Sequence, residues 1–215
     1  RYIKMYYYDV VQRSERWSNL RKGRIGSSRF LEAAGRSPFS TQQKCYERYK
    51  GILIEEINEK MRRGIIEEEN AILWFEQEFP ELGKVQKIGI VISTFDDRLE
   101  ASPDGLVGDD ELIEIKSTST LYPSLVVACI AKQFGTIFSP FDHSHIPETH
   151  YAQMQGALAI TGRKRCHYVV YTYDNLHEIY HEIIPFNEKY WNELYKDIRE
   201  FFDKYGIEED EERER

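Results

Sequence analysis

The sequence contains Ser102-Pro103-Asp104-Gly105-Leu106, followed shortly by Leu112-Ile113-Glu114-Ile115-Lys116. The first segment has the composition of a turn, and the second has the apolar, β-branched character of a strand. Because side chains alternate between the two faces of a strand, Glu114 and Lys116 share one face while Ile115 points into the core. A hairpin that joins the two segments would therefore bring Asp104 beside Glu114.

Two adjacent carboxylates repel each other unless a cation lies between them. Oxygen ligands of this kind suit Mg²⁺ or Mn²⁺, and a neighbouring lysine could hold or activate a water molecule. This layout is typical of metal-dependent phosphodiester hydrolysis. Taken alone, the turn is ordinary and Glu-Ile-Lys is equally typical of a solvated strand face. It is their combination that resembles the PD-(D/E)xK nuclease superfamily.

Length and composition predict a single domain over residues 1–215, since a chain of 215 residues can bury a sizeable core. Residues 1–11 and the acidic end at 207–215 are expected to be peripheral. No apolar run has the length of a membrane-spanning helix, so no membrane partner is expected. The three scattered cysteines indicate reduced thiols in a cytoplasmic compartment, without the spacing of a zinc or iron–sulfur site.

The charge distribution favours contact with phosphates at one end of an acidic protein. Residues 1–50 carry 12 Lys/Arg and 4 Asp/Glu, whereas the remaining residues carry 17 and 33. A local basic segment can bind nucleic acid even though the net charge is −8. The alternative is a chance asymmetry of solvated side chains.

Periodicity and turn residues predict an α/β protein with a central mixed β-sheet flanked by helices. Ser14 is expected to cap the first helix, and Gly162 to end a late one. The predicted helices are a short one through Trp17 and Leu20, one from Ser27 or Ser28 to Gly35, 40–62 with a possible break at Gly51, 64–78, 122–134, 149–161 and 187–204. The predicted strands are 85–93, 99–102, 112–116, 168–173 and 178–184. In the last helix, the expected buried stripe is Tyr190, Leu194, Ile198 and Phe201.

Further motifs make the resemblance closer than the superfamily. Gly64 is followed four residues later by Glu68, and Ala101-Ser102 precedes the Asp104 turn. The other matching segments are Gln12-Arg13-Ser14-Glu15-Arg16-Trp17, Leu20-Arg21-Lys22-Gly23-Arg24-Ile25-Gly26-Ser27-Ser28 and Tyr151-Ala152-Gln153-Met154-Gln155. This ordered set is similar to the phage lambda exonuclease family, also called the YqaJ-like viral recombinases. The resemblance covers roughly residues 12–205 and implies a restriction-endonuclease-like core.

The resemblance implies a catalytic role for a set of residues around the hairpin. Asp104, Glu114 and the backbone carbonyl of Ile115 would bind metal, helped by Glu68. Lys116 would position and activate the attacking water, with Gln153 nearby. Glu68 lies in an acidic run, Glu67-Glu68-Glu69, that is also typical of a solvated helix face.

A second set of residues is implied for the DNA end. Arg21 matches an arginine that holds the terminal 5′-phosphate, and Ser28 and Ser102 match positions near that phosphate. Arg24 lies in the same basic segment, which is expected to grip phosphates.

The activity implied by the resemblance is 5′→3′ exonuclease action on linear duplex DNA with a 5′-phosphate, leaving 3′ overhangs for recombination. The cofactor would be Mg²⁺, replaceable by Mn²⁺, as a pair of ions. Members of this family often form ring-shaped trimers and work with a single-strand annealing protein.

Other functions remain open from the sequence. They are a PD-(D/E)xK endonuclease, a single-strand exonuclease of the CRISPR-associated type, an inert DNA-end-binding scaffold and a plain acidic interaction domain. The CRISPR-associated type normally carries iron–sulfur cysteines that this chain lacks. His143, His145 and His150 lie close together in sequence, but in a predicted loop without a further ligand, so no site is predicted there.

Overall fold

The computed structural model describes residues 5–54, 58–133, 143–174 and 179–209. Within these ranges the chain is a mixed α/β structure, as the sequence predicts. The helices are α1 (Glu15–Arg21), α2 (Phe30–Ala33), α3 (Gln42–Tyr49), α4 (Glu59–Glu78), α5 (Pro123–Gln133), α6 (Glu148–Thr161) and α7 (Glu188–Tyr205). The strands are β1 (Met5–Tyr7), β2 (Ile25–Gly26), β3 (Ile90–Ile92), β4 (Leu99–Ala101), β5 (Gly105–Val107), β6 (Glu111–Thr118), β7 (Arg165–Thr172) and β8 (Tyr180–Pro185).

The described strands form two four-stranded sheets rather than the single sheet expected from the sequence. The first has the order β1-β3-β4-β2, with β2 parallel to β4. The second has the order β5-β6-β7-β8, with β6 parallel to β7. Pro103 lies between β4 and β5, and proline cannot donate a hydrogen bond to a strand ladder. The division into two sheets falls at this point of the chain.

Helix α6 occupies the centre of the main hydrophobic core, which also holds residues of α2, β4, β6, β7 and α7. Gly156 lets this helix approach Phe30 closely, because a Cβ atom at Gly156 would lie 2.3 Å from a ring carbon of Phe30. The Phe30 side chain is fully buried and has little room to move. The close packing fixes α6, which carries Gln153, against the N-terminal part of the chain.

Several helix boundaries agree with the sequence. The Ser14 side chain caps α1 by accepting a hydrogen bond from the Trp17 amide at 3.2 Å, as predicted. Gly162 ends α6 in a left-handed conformation with φ of 64°. In α7, Leu194, Ile198 and Phe201 are buried as expected, but Trp191 completes the stripe and Tyr190 is only partly buried.

Other predicted elements are wrong in extent. The expected helix over 40–62 is replaced by α3, which ends at Tyr49, and by α4, which begins at Glu59 after the cap of Asn58. Gly51 adopts φ of 71°, which interrupts helical geometry, and residues 55–57 lie outside the described part. The strand expected over 85–93 is limited to β3, with an isolated bridge from Gln86 to Leu106. Residues 137–142 and 175–178, parts of a predicted loop, turn and strand, also lie outside the described residues.

The described parts of the two terminal segments, residues 5–11 and 207–209, contact the rest of the structure. Residues 5–7 form β1, which pairs antiparallel with β3, and Val10 is buried. Ile207 is buried against the main core, and its carbonyl accepts a hydrogen bond from Arg98 at 3.0 Å. Apolar side chains at Val10 and Ile207 explain both contacts, since each finds a buried surface.

No helix in the described residues is both long and apolar enough to cross a membrane.

Candidate active site

The hairpin of β5 and β6 brings Asp104 beside Glu114, as the sequence predicts. Gly105 lies opposite Ile113 in an antiparallel register, so the residue before Gly105 falls next to Glu114. The Asp104 carboxylate accepts a hydrogen bond from the Ile115 amide at 2.6 Å. This bond fixes the carboxylate against β6, with its other oxygen available to a ligand.

Lys116, Glu114 and Gln153 form a closed triangle of hydrogen bonds. Lys116 Nζ donates to Glu114 Oε1 at 2.7 Å and to Gln153 Oε1 at 2.9 Å. The Gln153 amide nitrogen donates back to Glu114 Oε1 at 2.7 Å. Gln153 belongs to α6, so these hydrogen bonds join that helix to β6. The triangle therefore holds the lysine in one position although its side chain has many rotamers.

The charges of this cluster shift the pKa values of its members. Burial, together with the negative charges of Glu114 and Glu68, raises the pKa of Asp104 well above its ordinary value. Burial lowers the pKa of Lys116, but the charges of Glu114 and Asp104 outweigh it, so the net pKa is raised. Lys116 is thus protonated at neutral pH. The single positive charge of Lys116 does not balance the carboxylates of Asp104, Glu114 and Glu68. A divalent cation would supply the remaining positive charge.

Glu68 is the member of the acidic run that reaches the same cavity. It lies on α4 and pairs with Lys87 at 2.7 Å and with Arg13 at 3.8 Å. Its neighbour Glu67 is buried and accepts hydrogen bonds from Arg63 and Asn70 instead. Only the Gly64 spacing distinguishes Glu68 in the sequence, and the structure places that same residue at the cavity.

The donor set fits a hard divalent cation. Asp104, Glu114, Glu68 and Ile115 line one cavity of about 580 Å³, together with Lys116 and Gln153. Carboxylate and carbonyl oxygens are the ligands that Mg²⁺ and Mn²⁺ prefer, and no cysteine or histidine is among the residues that line this cavity. The raised pKa of Asp104 results first from burial and then from the like charges of Glu114 and Glu68.

The far end of the same cavity is built around Arg21. Its guanidinium lies over the Trp17 ring, 4.2 Å from the ring centre, and its Nε donates to Glu100 Oε1 at 2.7 Å. The indole nitrogen of Trp17 donates to Ser102 Oγ at 3.0 Å. The Ser102 hydroxyl donates in turn to Glu100 Oε2 at 3.2 Å. Stacking on Trp17 and the ion pair with Glu100 therefore fix the orientation of the Arg21 guanidinium.

Gly26 makes room for this arrangement. A Cβ atom at position 26 would lie 2.3 Å from Glu100 Oε1 and 2.7 Å from Arg21 Nη2. Any larger residue would push apart the ion pair of Arg21 and Glu100.

The predicted phosphate-binding residues separate into two groups. Arg21, Ser28 and Ser102 all line the cavity, and Ser28 is exposed there. Arg24 is buried and is not among the residues that line the cavity. Its guanidinium donates to the backbone carbonyls of Leu20 and Asp97. The Arg24 side chain thus lies away from the cavity and joins α1 to the turn before β4.

Sequence reasoning missed Glu100. Glu100, Ser102 and Asp104 line the cavity, whereas the alternating residues Leu99, Ala101 and Pro103 are buried and do not line it. The alternation of polar and apolar residues from 99 to 104 is the signal that could have identified Glu100. One stretch of chain thus links the partner of Arg21 to the carboxylate cluster.

Comparison with known proteins agrees with this geometry. A model of the YqaJ-like viral recombinase domain family matches residues 16–164. The structure is similar to an alkaline exonuclease, LHK-Exo, from Laribacter hongkongensis, with a TM-score of 0.64 and 26% identity over 90% of this chain and 94% of that chain. LHK-Exo in complex with dAMP gives the same TM-score at 24% identity, over 90% of this chain and 94% of that one.

A phage-related exonuclease from Haemophilus somnus 129PT shares the fold at a TM-score of 0.57 and 15% identity, over 85% of this chain and 94% of that chain. A search of curated proteins gave no match. The fold and the site define a protein of the nuclease type seen in these structures. The chain belongs to the YqaJ-like viral recombinase domain family.

Proposed function

We propose that this protein is a Mg²⁺-dependent exonuclease that degrades linear duplex DNA from 5′-phosphorylated ends in the 5′→3′ direction. The observation that carries the proposal is one cavity that is lined both by Asp104, Glu114 and Lys116 and by Arg21. Such a cavity can hold a terminal phosphate and the first phosphodiester bond at the same time. The 26% identity to an alkaline exonuclease supports the same class of reaction.

The metal would be held by Asp104, Glu114, Glu68 and the Ile115 carbonyl. Bound there, Mg²⁺ supplies neutralisation of phosphate charge and a lowered pKa for a bound water, and two ions can share these tasks. Mn²⁺ has similar ligand preferences and is expected to substitute.

Lys116 and Gln153 act on the attacking water. The ammonium of Lys116 lies in the cavity with its position fixed by Glu114 and Gln153. From there it can stabilise a hydroxide and the negative charge that develops on the phosphate oxygens. Gln153 keeps the lysine oriented and offers its own amide group to the water.

Arg21 would recognise the terminal phosphate. A planar guanidinium can bind a phosphate through two parallel hydrogen bonds, and the stacking on Trp17 presents it in a fixed orientation. Ser28 and Ser102 line the same region and can donate hydroxyl hydrogen bonds. A bound phosphate would compete with the Glu100 carboxylate for the Arg21 guanidinium. A dianionic terminal phosphate competes more strongly than a singly charged phosphodiester.

On the resemblance alone, the proposal extends to a ring-shaped homotrimer that works with a single-strand annealing protein in the cytoplasm. The product, a 3′ overhang, is the substrate that an annealing protein requires.

The proposal is tested by digesting three substrates with the purified full chain. They are a 5′-phosphorylated linear duplex, the same duplex with 5′-hydroxyl ends and a covalently closed circle, each in Mg²⁺ and in EDTA. We expect rapid release of mononucleotides from the phosphorylated duplex in Mg²⁺ only, and no cutting of the circle. Cleavage of the circle would indicate an endonuclease. Binding of ends without hydrolysis would indicate a scaffold.

A further inference from the structure

A second group of ligand-type side chains lies outside the candidate active site. His143 and His145 precede α6, and Glu182 lies on β8. His143 Nδ1 is 3.3 Å from Glu182 Oε1, and His145 Nε2 is 2.7 Å from Glu182 Oε2. One ligand atom from each of the three residues lies within 4.8 Å of the others. No third side chain is predicted from the sequence to join these histidines, whereas the structure brings Glu182 of β8 beside them.

Aromatic neighbours hold the three side chains in place. The His143 ring is stacked on Tyr151 of α6, with the ring centres 5.3 Å apart. The Tyr180 hydroxyl donates a hydrogen bond to Glu182 Oε2. This bond orients the carboxylate so that Oε1 faces His143, as the outer partners of metal ligands commonly do.

The group is largely shielded from solvent. The side chains of His143, His145 and Glu182 are only 11%, 8% and 18% exposed.

The group is also open on one side. His143 and His145 line a cavity of about 550 Å³ together with Tyr151, Asn187 and Tyr190. Water from this cavity could supply a fourth ligand. Two imidazoles, one carboxylate and one open position are a common ligand set for zinc.

We propose that His143, His145 and Glu182 form a binding site for one divalent transition-metal ion, zinc by preference, separate from the Mg²⁺ site proposed at Asp104 and Glu114. Imidazole nitrogen selects Zn²⁺ over Mg²⁺, which requires oxygen ligands. In a tetrahedral zinc site with bonds of about 2.0–2.1 Å, neighbouring ligand atoms are about 3.3 Å apart. The His143–Glu182 separation of 3.3 Å equals this value, the His145–Glu182 separation of 2.7 Å is shorter, and all three ligand atoms lie within 4.8 Å of one another.

The ion would join two parts of the chain that are distant in sequence. His143 and His145 belong to the segment that leads into α6, and Glu182 belongs to the edge strand of the second sheet. A bound ion therefore fastens the N-terminal end of α6, the helix that carries Gln153, to β8. Its effect is on stability and on the position of that helix, without contact with the DNA substrate.

The experiment measures metal binding in full-length protein in which Asp104→Asn and Glu114→Gln remove competing carboxylates. Zn²⁺ is titrated by calorimetry, and Co²⁺ is used as a spectroscopic substitute. We expect one equivalent of each metal. Cobalt should show the visible bands of a tetrahedral site without a thiolate charge-transfer band. A hundredfold excess of Zn²⁺ over Kd should raise Tm by about 5–10 °C.

Three variants in the same background locate the ion. His143→Ala and Glu182→Gln should each weaken zinc binding by at least about 100-fold, since each removes a direct ligand. Glu148 lines the same cavity but does not belong to the group of three side chains. The Glu148→Gln variant is therefore the matched control and should bind zinc with the affinity of the parent protein. His143→Ala lies in the segment before α6 and is the safer variant if Glu182→Gln lowers stability.

The proposal is overturned if the parent protein binds no zinc, because the three side chains would then be only a hydrogen-bonded network. It is also overturned if His143→Ala and Glu182→Gln retain full affinity. That result would place the metal elsewhere, for example at His167 and His181, whose ring nitrogens are 2.9 Å apart.

Discussion

Glu114 and Glu182 lie in the same row of the second sheet, on either side of Tyr168, but in opposite chemical surroundings. Tyr168 pairs with Glu114 on β6 and with Glu182 on β8. Glu114 faces Asp104, Lys116 and Gln153, which form an oxygen-rich site with one ammonium. Glu182 faces two imidazoles and a phenol. Two glutamates in the same row of one sheet, about 10 Å apart across two strand spacings, can thus have surroundings that suit different cations.

The largest expected effect separates these two glutamates. Glu114→Gln should abolish DNA cleavage in Mg²⁺ because it removes a ligand charge and one partner of Lys116. It should leave zinc affinity unchanged. Glu182→Gln should lower zinc affinity and reduce cleavage by less than about tenfold, since it acts only through α6. Nuclease assays and zinc titration of both variants check this pattern, and equal loss of cleavage in both would remove the distinction.

Lys116→Ala sharpens the role of the ammonium within the first site. We expect turnover to fall by about 10²–10⁴-fold, the usual range for a group that activates water or stabilises developing charge. Binding of duplex ends should be kept, because the phosphate end of the cavity is unchanged. Single-turnover rates and DNA affinity are the measurements, and turnover near that of the wild type would exclude Lys116 from the reaction.

Arg21→Ala tests the opposite end of the same cavity. Loss of a charge-assisted contact of about 1.5–3 kcal/mol should slow digestion of 5′-phosphorylated duplex by about 10- to 100-fold. Digestion of duplex with 5′-hydroxyl ends should change little, because such ends have no dianionic phosphate for Arg21 to bind. Arg21→Lys should restore little, because a point charge does not reproduce the planar fork. A similar loss on both substrates would make Arg21 a general backbone contact.

Gln153 and Gln155 form a matched pair on α6 with different environments. Gln153→Ala removes the hydrogen bonds to Lys116 and Glu114 and should reduce turnover by about 3- to 10-fold, with little change in Tm. Gln155 is fully buried and bonds to the backbone of Pro185 and Asn187. Gln155→Ala should instead cost about 1–3 kcal/mol of stability, or roughly 2–4 °C in Tm for each kcal/mol. If Gln155→Ala lowered turnover and Gln153→Ala lowered Tm instead, Gln155 and not Gln153 would position the lysine.

The smallest expected effect concerns stability in EDTA. The raised pKa of Asp104 means that its ionised form destabilises the folded state. Asp104→Asn should therefore melt a few degrees above the wild type at pH 7 to 8. The difference should narrow as pH falls through the raised folded pKa towards the unfolded value of about 3.9. Mg²⁺ should raise the Tm of the wild type but not that of the variant. Melting curves at several pH values provide the check.

The sequence predicts the first site better than the second for a physical reason. Asp104, Glu114 and Lys116 lie within one hairpin, so local turn and strand rules are enough to place them together. Gln153 and Arg21 were predicted only through family resemblance, because long-range packing of α6 and α1 positions them. Glu182 could not be joined to His143 without the register of β8 on β7.

The fold shows the same division. Ser14 and Gly162 carry local signals, and the helix ends that they mark were predicted correctly. Strand β2 has only two residues and pairs with β4 more than seventy residues away, as Ile25 lies opposite Leu99. No local periodicity can indicate a strand so short. Arg24 is predicted to contact phosphate because it lies in the basic segment, whereas its burial depends on the tertiary contact with Asp97.

The short β5–β6 hairpin has a consequence for the order of events during synthesis. Only residues 108–110 separate the two strands, so Asp104 and Glu114 can meet soon after they leave the ribosome. The parallel partner β7 begins at Arg165, and its pairing must wait for the whole crossover that includes α5 and α6. Until then the nascent chain holds two repelling carboxylates on an unprotected edge strand. A polypeptide stalled at this length exposes the unpaired edge of β6, and divalent cations in the cell would be the first ligands to relieve the repulsion between the two carboxylates.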